Sequence, residues 1–551
     1  MNDNTLVDRF LRWERTQPDA VYFTQPYPDG SVVDYTWQEV GRQARSMAAY
    51  LQSLQLPPES NIAILGKNSA HWIMADLAIW MAGHVSVPLY PTLNAETAQY
   101  VFEHCNARVL FVGKLDGKTD GWNEIRHVIP SHMTMVALPM SPAMPESQHW
   151  DAIAAAHPPL QEVSLPAPTQ LATIMYTSGS TGRPKGVMHS FGTMRVYASL
   201  AGEFAGFNTS DRLLSYLPLA HGAERSFVES NSLFHGLRVY FSDTLESFVA
   251  DLMRARPTVF ISVPRLWTKF YIGVCAKVPP NAPLSDQARK AILAQLGLAE
   301  VRLAFTGSAS LPAHIIEWYR KLGLELLDAY AMTEDFAYSH YARPGQVRVG
   351  YVGTPLPGVE RRIADNGEIQ VKCPTQMMGY YKQPELTAES LTPDGFFKTG
   401  DRGETDELGR LKITGRVKEL FKTSKGKYVA PVPIENKLTH PKIEAVCVTG
   451  PTQPQPFALA MLAADAVKEI ENADAREALR AELQALLEEV NATLESHEKL
   501  ASLVVVKEPW SIDNGFLTPT MKIRRNVIEE RYLAKANGWG ELGGKVVMEA
   551  D

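Results

Sequence analysis

The chain has 551 residues, of which 45% are hydrophobic and 21% charged, and its formal net charge is −7. That length is more than one hydrophobic core spans, so at least two domains are expected, with the composition of a soluble globular protein. The acidic balance excludes a dedicated nucleic-acid binder, which would be basic.

The first residues carry neither a basic n-region nor an apolar h-region, so no signal peptide is expected. The apolar stretch Leu77–Val87 is too short to span a bilayer and is broken by Gly83 and His84. A helix is predicted over Thr36–Leu54, with Val40, Ala44, Met47, Ala48 and Leu51 on one face. Asn61–Leu65 reads as a buried strand, Ser69–Met81 as a helix and His84–Leu89 as the next strand. Glu96–Cys105 then reads as helix and Arg108–Val112 as strand. Strands alternating with helices predict an α/β fold with parallel sheets. Pro and Ala cluster from Ala137 to Pro168, which reads as a loose connection.

The next stretch organises the rest. An apolar run, Leu171–Tyr176, leads into Thr177, Ser178, Gly179, Ser180, Thr181 and Gly182, followed by Arg183-Pro184-Lys185-Gly186. Glycines let backbone N–H groups converge on an anion, hydroxyls add donors, and Lys185 adds charge, so the loop suits phosphate. Most Gly/Ser runs are flexible linkers, but linkers do not usually emerge from an apolar strand and end in Arg-Pro-Lys-Gly. It is not a Walker A loop, because Lys185 follows Pro184 and precedes Gly186. The segment Tyr176–Gly186 resembles the phosphate loop of the adenylate-forming superfamily, which includes acyl-CoA synthetases, luciferases and peptide-synthetase adenylation domains.

Further segments follow in that superfamily's order, and the resemblance implies a role for each. His221, in Ser215–His221, is expected to line the acyl site where the carboxylate meets the α-phosphate. The small residues Gly307, Ser308 and Ala309 end a strand and let a planar base approach the backbone. In Asp328-Ala329-Tyr330-Ala331-Met332-Thr333-Glu334, the resemblance implies that Tyr330 stacks on adenine, Thr333 contacts the α-phosphate and Glu334, with Thr177, serves Mg²⁺. Ala331 stands where many relatives have glycine, and Ser310 where many have proline. Asp401 is expected to accept from the ribose hydroxyls, although Thr-Gly-Asp triplets are also common turns. Arg416 resembles the arginine that contacts ribose and phosphate.

The domain boundary is placed here, giving a large domain over 1–417 with the ATP and acyl sites and a small α+β domain over 418–551. Lys418 matches the hinge position. Lys422, Lys425, Gly426 and Lys427 belong to a basic stretch that reads either as a solvated loop or as a hairpin facing coenzyme A. Leu479, Leu483, Leu486, Leu487, Val490 and Leu494 form one apolar helix face, and Leu503–Val506 reads as a buried strand. Lys522, in Leu517-Thr518-Pro519-Thr520-Met521-Lys522, matches the catalytic lysine. Gly538–Gly543 formally fits GxGxxG but leaves no room for a βαβ unit, and is set aside. The cysteines, Cys105, Cys275, Cys373 and Cys447, lie far apart, so no zinc site or disulfide framework is expected and a reducing, cytoplasmic setting fits.

The closest likeness is to long-chain fatty acyl-CoA synthetases, carried by Leu217–Arg225, Lys427–Pro431 with Ile434–Asn436, and Leu517–Thr520. It implies ATP, Mg²⁺ and coenzyme A, and a fatty acid activated as acyl-AMP and passed to coenzyme A. Two other outcomes stay open: a ligase that loads a carrier protein, and a non-catalytic nucleotide- or lipid-binding relative. Peripheral membrane contact fits a lipid substrate, and both monomer and homodimer remain compatible.

Overall fold

In the computed structural model the six elements expected between Thr36 and Val112 follow in that order, preceded by the strands Val21–Pro26 and Val32–Thr36, which were not expected. Ser69 caps the helix Ala70–Met81 through the Trp72 amide, and Thr36 and Glu39 close a capping box on Trp37–Ser53. The structure describes residues 5–118, 120–177, 183–309, 311–518, 521–540 and 545–549. Helix Ala70–Met81 is buried on every side, because it lies between the eight-stranded sheet and helix Trp37–Ser53 and so needs no polar face.

The eight-stranded sheet runs Gly379–Tyr380, Lys185–Ser190, Leu171–Thr177, Val85–Leu89, Asn61–Leu65, Val109–Val112, Thr134–Ala137, Gln148–His149. From Leu171–Thr177 outward to Gln148–His149 its strands are parallel. At the other edge, Lys185–Ser190 returns antiparallel to Leu171–Thr177, with Thr177 opposite Lys185. The helix after the phosphate loop therefore starts only at Phe191, once that return strand is complete. The connection expected to be loose over 137–168 holds a short strand, Gln148–His149, and the helix Trp150–Ala156, anchored by the wholly buried Trp150.

A second sheet pairs Val259–Ser262, Leu303–Gly307 and Leu326–Tyr330 in parallel, then adds His340–Tyr341 and Thr354–Pro355 antiparallel. A third joins Arg212–Ser215, Arg238–Phe241 and Val21–Pro26 in parallel, with Val32–Thr36 antiparallel at its edge. A fourth, all antiparallel, ends in Phe397–Thr405 and Leu411–Arg416. Three apolar clusters fill the spaces between the large-domain sheets and helices.

The C-terminal sheet is Ile443–Thr449, Phe457–Leu462, Ser502–Val505, Lys545–Met548. Helix Ala473–Ala492 covers it with Leu479, Leu483, Leu487 and Val490 buried, each contributing about 1.5–3 kcal/mol through removal from water. Leu486 and Leu494 pack only partly. The last strand, Lys545–Met548, was not foreseen from the sequence. It lies parallel to Ser502–Val505, so the segment between them is a crossover, as parallel neighbours require. Lys522 lies on this crossover, in a tight turn closed by Thr518 N–H to Lys522 O (2.8 Å) and Lys522 N–H to Thr518 Oγ1 (3.1 Å). Among the described residues, no helix is long and apolar enough to cross a membrane.

Candidate active site

The predicted site residues sit where an open α/β sheet places its ligands, beyond the carboxyl ends of parallel strands. Thr177 ends Leu171–Thr177, Gly307 ends Leu303–Gly307, and Tyr330 ends Leu326–Tyr330. Ser308 takes φ +72°, a left-handed conformation unusual for a side chain that is not glycine, asparagine or aspartate. A Cβ on Gly307 would lie 3.0 Å from the Ala329 carbonyl, so the backbones of these two strand ends approach closely because the residue is glycine. Ser178, Gly179, Ser180, Thr181 and Gly182 lie outside the described residues.

Asp401 and Arg416 face each other directly across the antiparallel pair Phe397–Thr405 and Leu411–Arg416. Arg416 Nε lies 3.1 Å from Asp401 Oδ1, and the Tyr330 hydroxyl donates to Asp401 Oδ2 at 2.7 Å. Burial raises the Asp401 pKa, while Arg416 and the Tyr330 hydrogen bond oppose that shift. Tyr330, expected as an adenine platform, is thus also tied by its hydroxyl to the carboxylate of the predicted ribose site.

Glu334 follows in the short 3-10 turn Thr333–Asp335. Its Oε1 accepts from the Tyr380 hydroxyl at 2.9 Å, and the Lys185 ammonium lies 5.3 Å above the Tyr380 ring. Burial lowers the Lys185 pKa, Glu334 pulls it back up, and Lys418 adds to the lowering. Lys185, Glu334 and Lys418 therefore share one electrostatic neighbourhood.

Lys522 reaches the same cleft from the C-terminal region. It keeps solvent access yet stands among protein groups that matter electrostatically. Its side chain is exposed, so the surrounding groups desolvate its ammonium only in part; that desolvation and Arg416 lower its pKa, whereas Asp401, Glu419 and Glu334 raise it. Arg525, three residues on, anchors the crossover: it lies 2.7 Å from Glu435 and donates to the Val448 carbonyl at 2.6 Å. His221 completes the group. Its Nδ1 accepts from the Ala223 amide at 3.1 Å, so the ring proton is on Nε2. Burial, reinforced by Lys522, pushes its pKa down to about 4, so the ring is neutral near pH 7.

The loop carrying His221 is itself clamped. Asn68 donates to the Leu217 carbonyl (2.6 Å) and accepts from the Leu219 amide (3.1 Å), while Glu224 accepts from Ser215 Oγ (2.7 Å) and the Tyr216 amide (3.0 Å). Behind it, wholly buried Arg225 pairs with Asp76 at 2.6 Å and with Glu229 at 3.3 Å. The hairpin of Lys422, Lys425, Gly426 and Lys427 bonds within its own region, through Thr423–Lys427 and Thr452–Lys422 backbone contacts.

Tyr380, Glu419, Asn68 and Glu224 were not singled out as site residues from the sequence. Tyr380, Glu419 and Asn68 act through partners distant along the chain, whereas Glu224 holds nearby Ser215 and Tyr216 and its position in Leu217–Arg225 offered a signal. A surface groove lined by Gln99, Phe102, His127 and His132 includes none of the site residues.

Comparison with known proteins matches the AMP-binding enzyme family to residues 10–381 and the AMP-binding enzyme C-terminal domain to residues 419–537. The chain is 30% identical to the long-chain-fatty-acid–CoA ligase FadD15 of Mycobacterium bovis, covering 94% of each chain. It is 28% identical to the long-chain-fatty-acid–CoA ligase 1 of Homo sapiens, over 95% of this chain and 84% of that one. Among solved structures, the adenylation domain of a carboxylate reductase from Mycobacterium chelonae superposes with a TM-score of 0.80 at 22% identity, covering 97% of this chain and 91% of that one.

Proposed function

This chain belongs to the AMP-binding enzyme family, and from that premise we propose that it activates a long-chain fatty acid with ATP and transfers the acyl group to coenzyme A. The observation that carries the reading is the meeting of Lys522, from the C-terminal region, with Asp401, Arg416 and Glu334 of the large domain beside His221.

A free carboxylate resists attack because its leaving group would be oxide or hydroxide. In the first half-reaction a carboxylate oxygen bonds to the α-phosphorus of ATP and the bond to the β-phosphate oxygen breaks, releasing pyrophosphate. Negative charge gathers around the α-phosphate, and Lys522 supplies the compensating charge from a cleft where solvent screening is reduced. Thr333 donates to the same phosphate. Tyr330 and the close-packed Gly307–Ala329 strand ends bracket the adenine, while Asp401 accepts from the ribose hydroxyls and Arg416, beside it, favours its charged form against burial. His221, neutral and with its proton on Nε2, offers a donor to the incoming carboxylate without adding full charge. Lys185 and the preceding loop hold the β- and γ-phosphates.

Glu334 and Thr177 are oxygen donors suited to Mg²⁺. Together with the substrate phosphates, these two side chains would hold the ion, as Mg²⁺ sites with one or two protein oxygens do. When bound, Mg²⁺ draws charge from those phosphates. In the second half-reaction the thiol of coenzyme A loses its proton, sulfur bonds to the acyl carbon and AMP leaves. The basic hairpin of Lys422, Lys425 and Lys427 serves coenzyme A after the C-terminal domain turns about Lys418. The test is fatty-acid-dependent exchange of labelled pyrophosphate into ATP, followed by release of acyl-CoA. Exchange is expected to rise with chain length into the long-chain range; no exchange with any fatty acid overturns the reading.

A further inference from the structure

The carbonyls of Thr333 and Asp335 accept local backbone bonds from Phe336 N–H (3.1 Å) and Tyr338 N–H (3.2 Å), and all three carbonyls of the turn Thr333–Asp335 also accept a bond from a distant segment. Met377 N–H donates to Glu334 O at 2.8 Å, and Thr375 Oγ1 donates to Asp335 O at 2.7 Å. Both come from the segment leading into the edge strand Gly379–Tyr380. The third comes from elsewhere. His189 Nε2 donates to Thr333 O at 2.7 Å, and His189 lies on Lys185–Ser190, the strand that leaves the phosphate loop.

His189 is wholly buried. Its ring meets Phe336 edge-on at 4.9 Å between centroids. Because a carbonyl can only accept, Nε2 carries the proton, and burial keeps the ring neutral. The imidazole has one ring orientation and one tautomer that satisfy Thr333. Four residues before it on the same strand is Lys185, and one residue after Thr333 is Glu334. We infer that His189 is a positioning residue that fixes the Thr333–Glu334 turn against the phosphate-loop strand, and so sets the separation between Lys185 and Glu334.

The geometry supports this over plain core filling. A buried ring needs no hydrogen bond to fill space, and Phe or Leu would pack there at lower desolvation cost. The bond instead joins two elements 144 residues apart, each bearing one of the charged groups proposed to meet the triphosphate. Tyr380 makes a second tie in the same direction, since its strand pairs with Lys185–Ser190 while its hydroxyl holds Glu334. The inference rests on the proposed roles of Thr333 and Glu334.

The test compares three variants of the full chain. His189→Leu keeps the bulk and removes the donor. In His189→Gln the amide nitrogen reaches the position of Nε2, whereas in His189→Asn it falls short. Each is measured for pyrophosphate exchange, for calorimetric binding of AMP, and for hydrogen exchange of the amides at 333–338. We expect His189→Leu and His189→Asn to lose about tenfold to a hundredfold in exchange rate, with KM for the fatty acid unchanged. AMP binding should weaken and the 333–338 amides should lose protection. His189→Gln should recover most of each. Wild-type rates and protection in folded His189→Leu, or equal behaviour of the Gln and Asn variants, overturn the inference. If wild-type protein shows no exchange with any fatty acid, the proposed function fails, while the amide protection of the three variants still decides the role of His189. Should His189→Leu not fold, Gln against Asn carries the comparison.

Discussion

Individual residues of the cleft differ in how far the chain order alone located them. Lys185, Thr333, Glu334, Asp401, Arg416 and Lys522 were legible because each sits in a short segment with a distinctive neighbour pattern. Asn68, His189 and Tyr380 were not. Their partners lie far along the chain, from Tyr380 on Glu334 to His189 on Thr333, and such pairings exist only after the sheets assemble. Arg225, named only as the end of the Leu217–Arg225 segment, is the extreme case: it is wholly buried between Asp76 and Glu229. A charge placed there is specified by its partners rather than by its hydropathy. For Lys522 the expectation is direct. Lys522→Ala should lower acyl-AMP formation from ATP by roughly 10²–10³, while coenzyme A still attacks pre-made acyl-AMP at near wild-type rate. Both half-reactions are followed separately by quenched flow, and equal loss in the two rules out a lysine dedicated to the first.

Among the elements, those with a strong pattern were predicted most closely. Helix Trp37–Ser53 keeps Val40, Ala44, Met47, Ala48 and Leu51 buried, as its 3.6-residue period implies. The wholly buried helix Ala70–Met81 was read as helix over Ser69–Met81 although it has no polar stripe, and Ser69 proves to be its cap. Short elements escaped. Trp150–Ala156 was hidden in a Pro- and Ala-rich stretch, and Lys545–Met548 is only a four-residue strand. One contact between elements bears on function. Arg265, near the start of helix Pro264–Cys275, forks onto Glu444 of strand Ile443–Thr449, at 2.6 and 3.0 Å. It bridges the large domain and the C-terminal sheet in the arrangement that brings Lys522 to Asp401. Because Arg265 is 71% exposed, the pair is worth at most about 1 kcal/mol. Arg265→Glu should therefore slow adenylation by no more than about fivefold, and Arg265→Glu with Glu444→Arg should restore it. Failure of the double reversal to improve on the single change means the pair does not hold Lys522 in place.

At the scale of the whole molecule, buried titratable groups set a pH dependence with two flanks. His71, His189, His221 and His340 are held down to about 3 or 4 by burial. The unfolded chain takes up those protons below about pH 6.5, so stability falls toward acid. Burial raises Glu224, Asp328 and Asp335 to about 8, 7 and 8. Above pH 6.5 the imidazoles are neutral in both states and the unfolded carboxyls are ionised. The native chain then holds the extra protons, and its stability falls as pH rises toward 8, by up to about 1.4 kcal/mol per pH unit for each proton. Tm measured from pH 6.5 to 8 at constant ionic strength should decline, and Glu224→Gln should lessen the decline; a flat profile contradicts the assignment. A different global dependence follows from the last strand. Lys545–Met548 closes the crossover that carries Lys522, and the Val546 amide is held by Gln484. Removing residues 545–551 would leave the far side of the lysine's segment held only by the Arg525 anchor and the packing of Ile528 and Tyr532, and would bare the edge of Ser502–Val505. Such a truncation should behave as an active-site lesion, losing acyl-AMP formation with every charged group of the cleft intact, while limited proteolysis cuts freely between 507 and 540. Full adenylation by the shortened chain would mean that the loop at 518–522 and the Arg525 anchor hold Lys522 unaided.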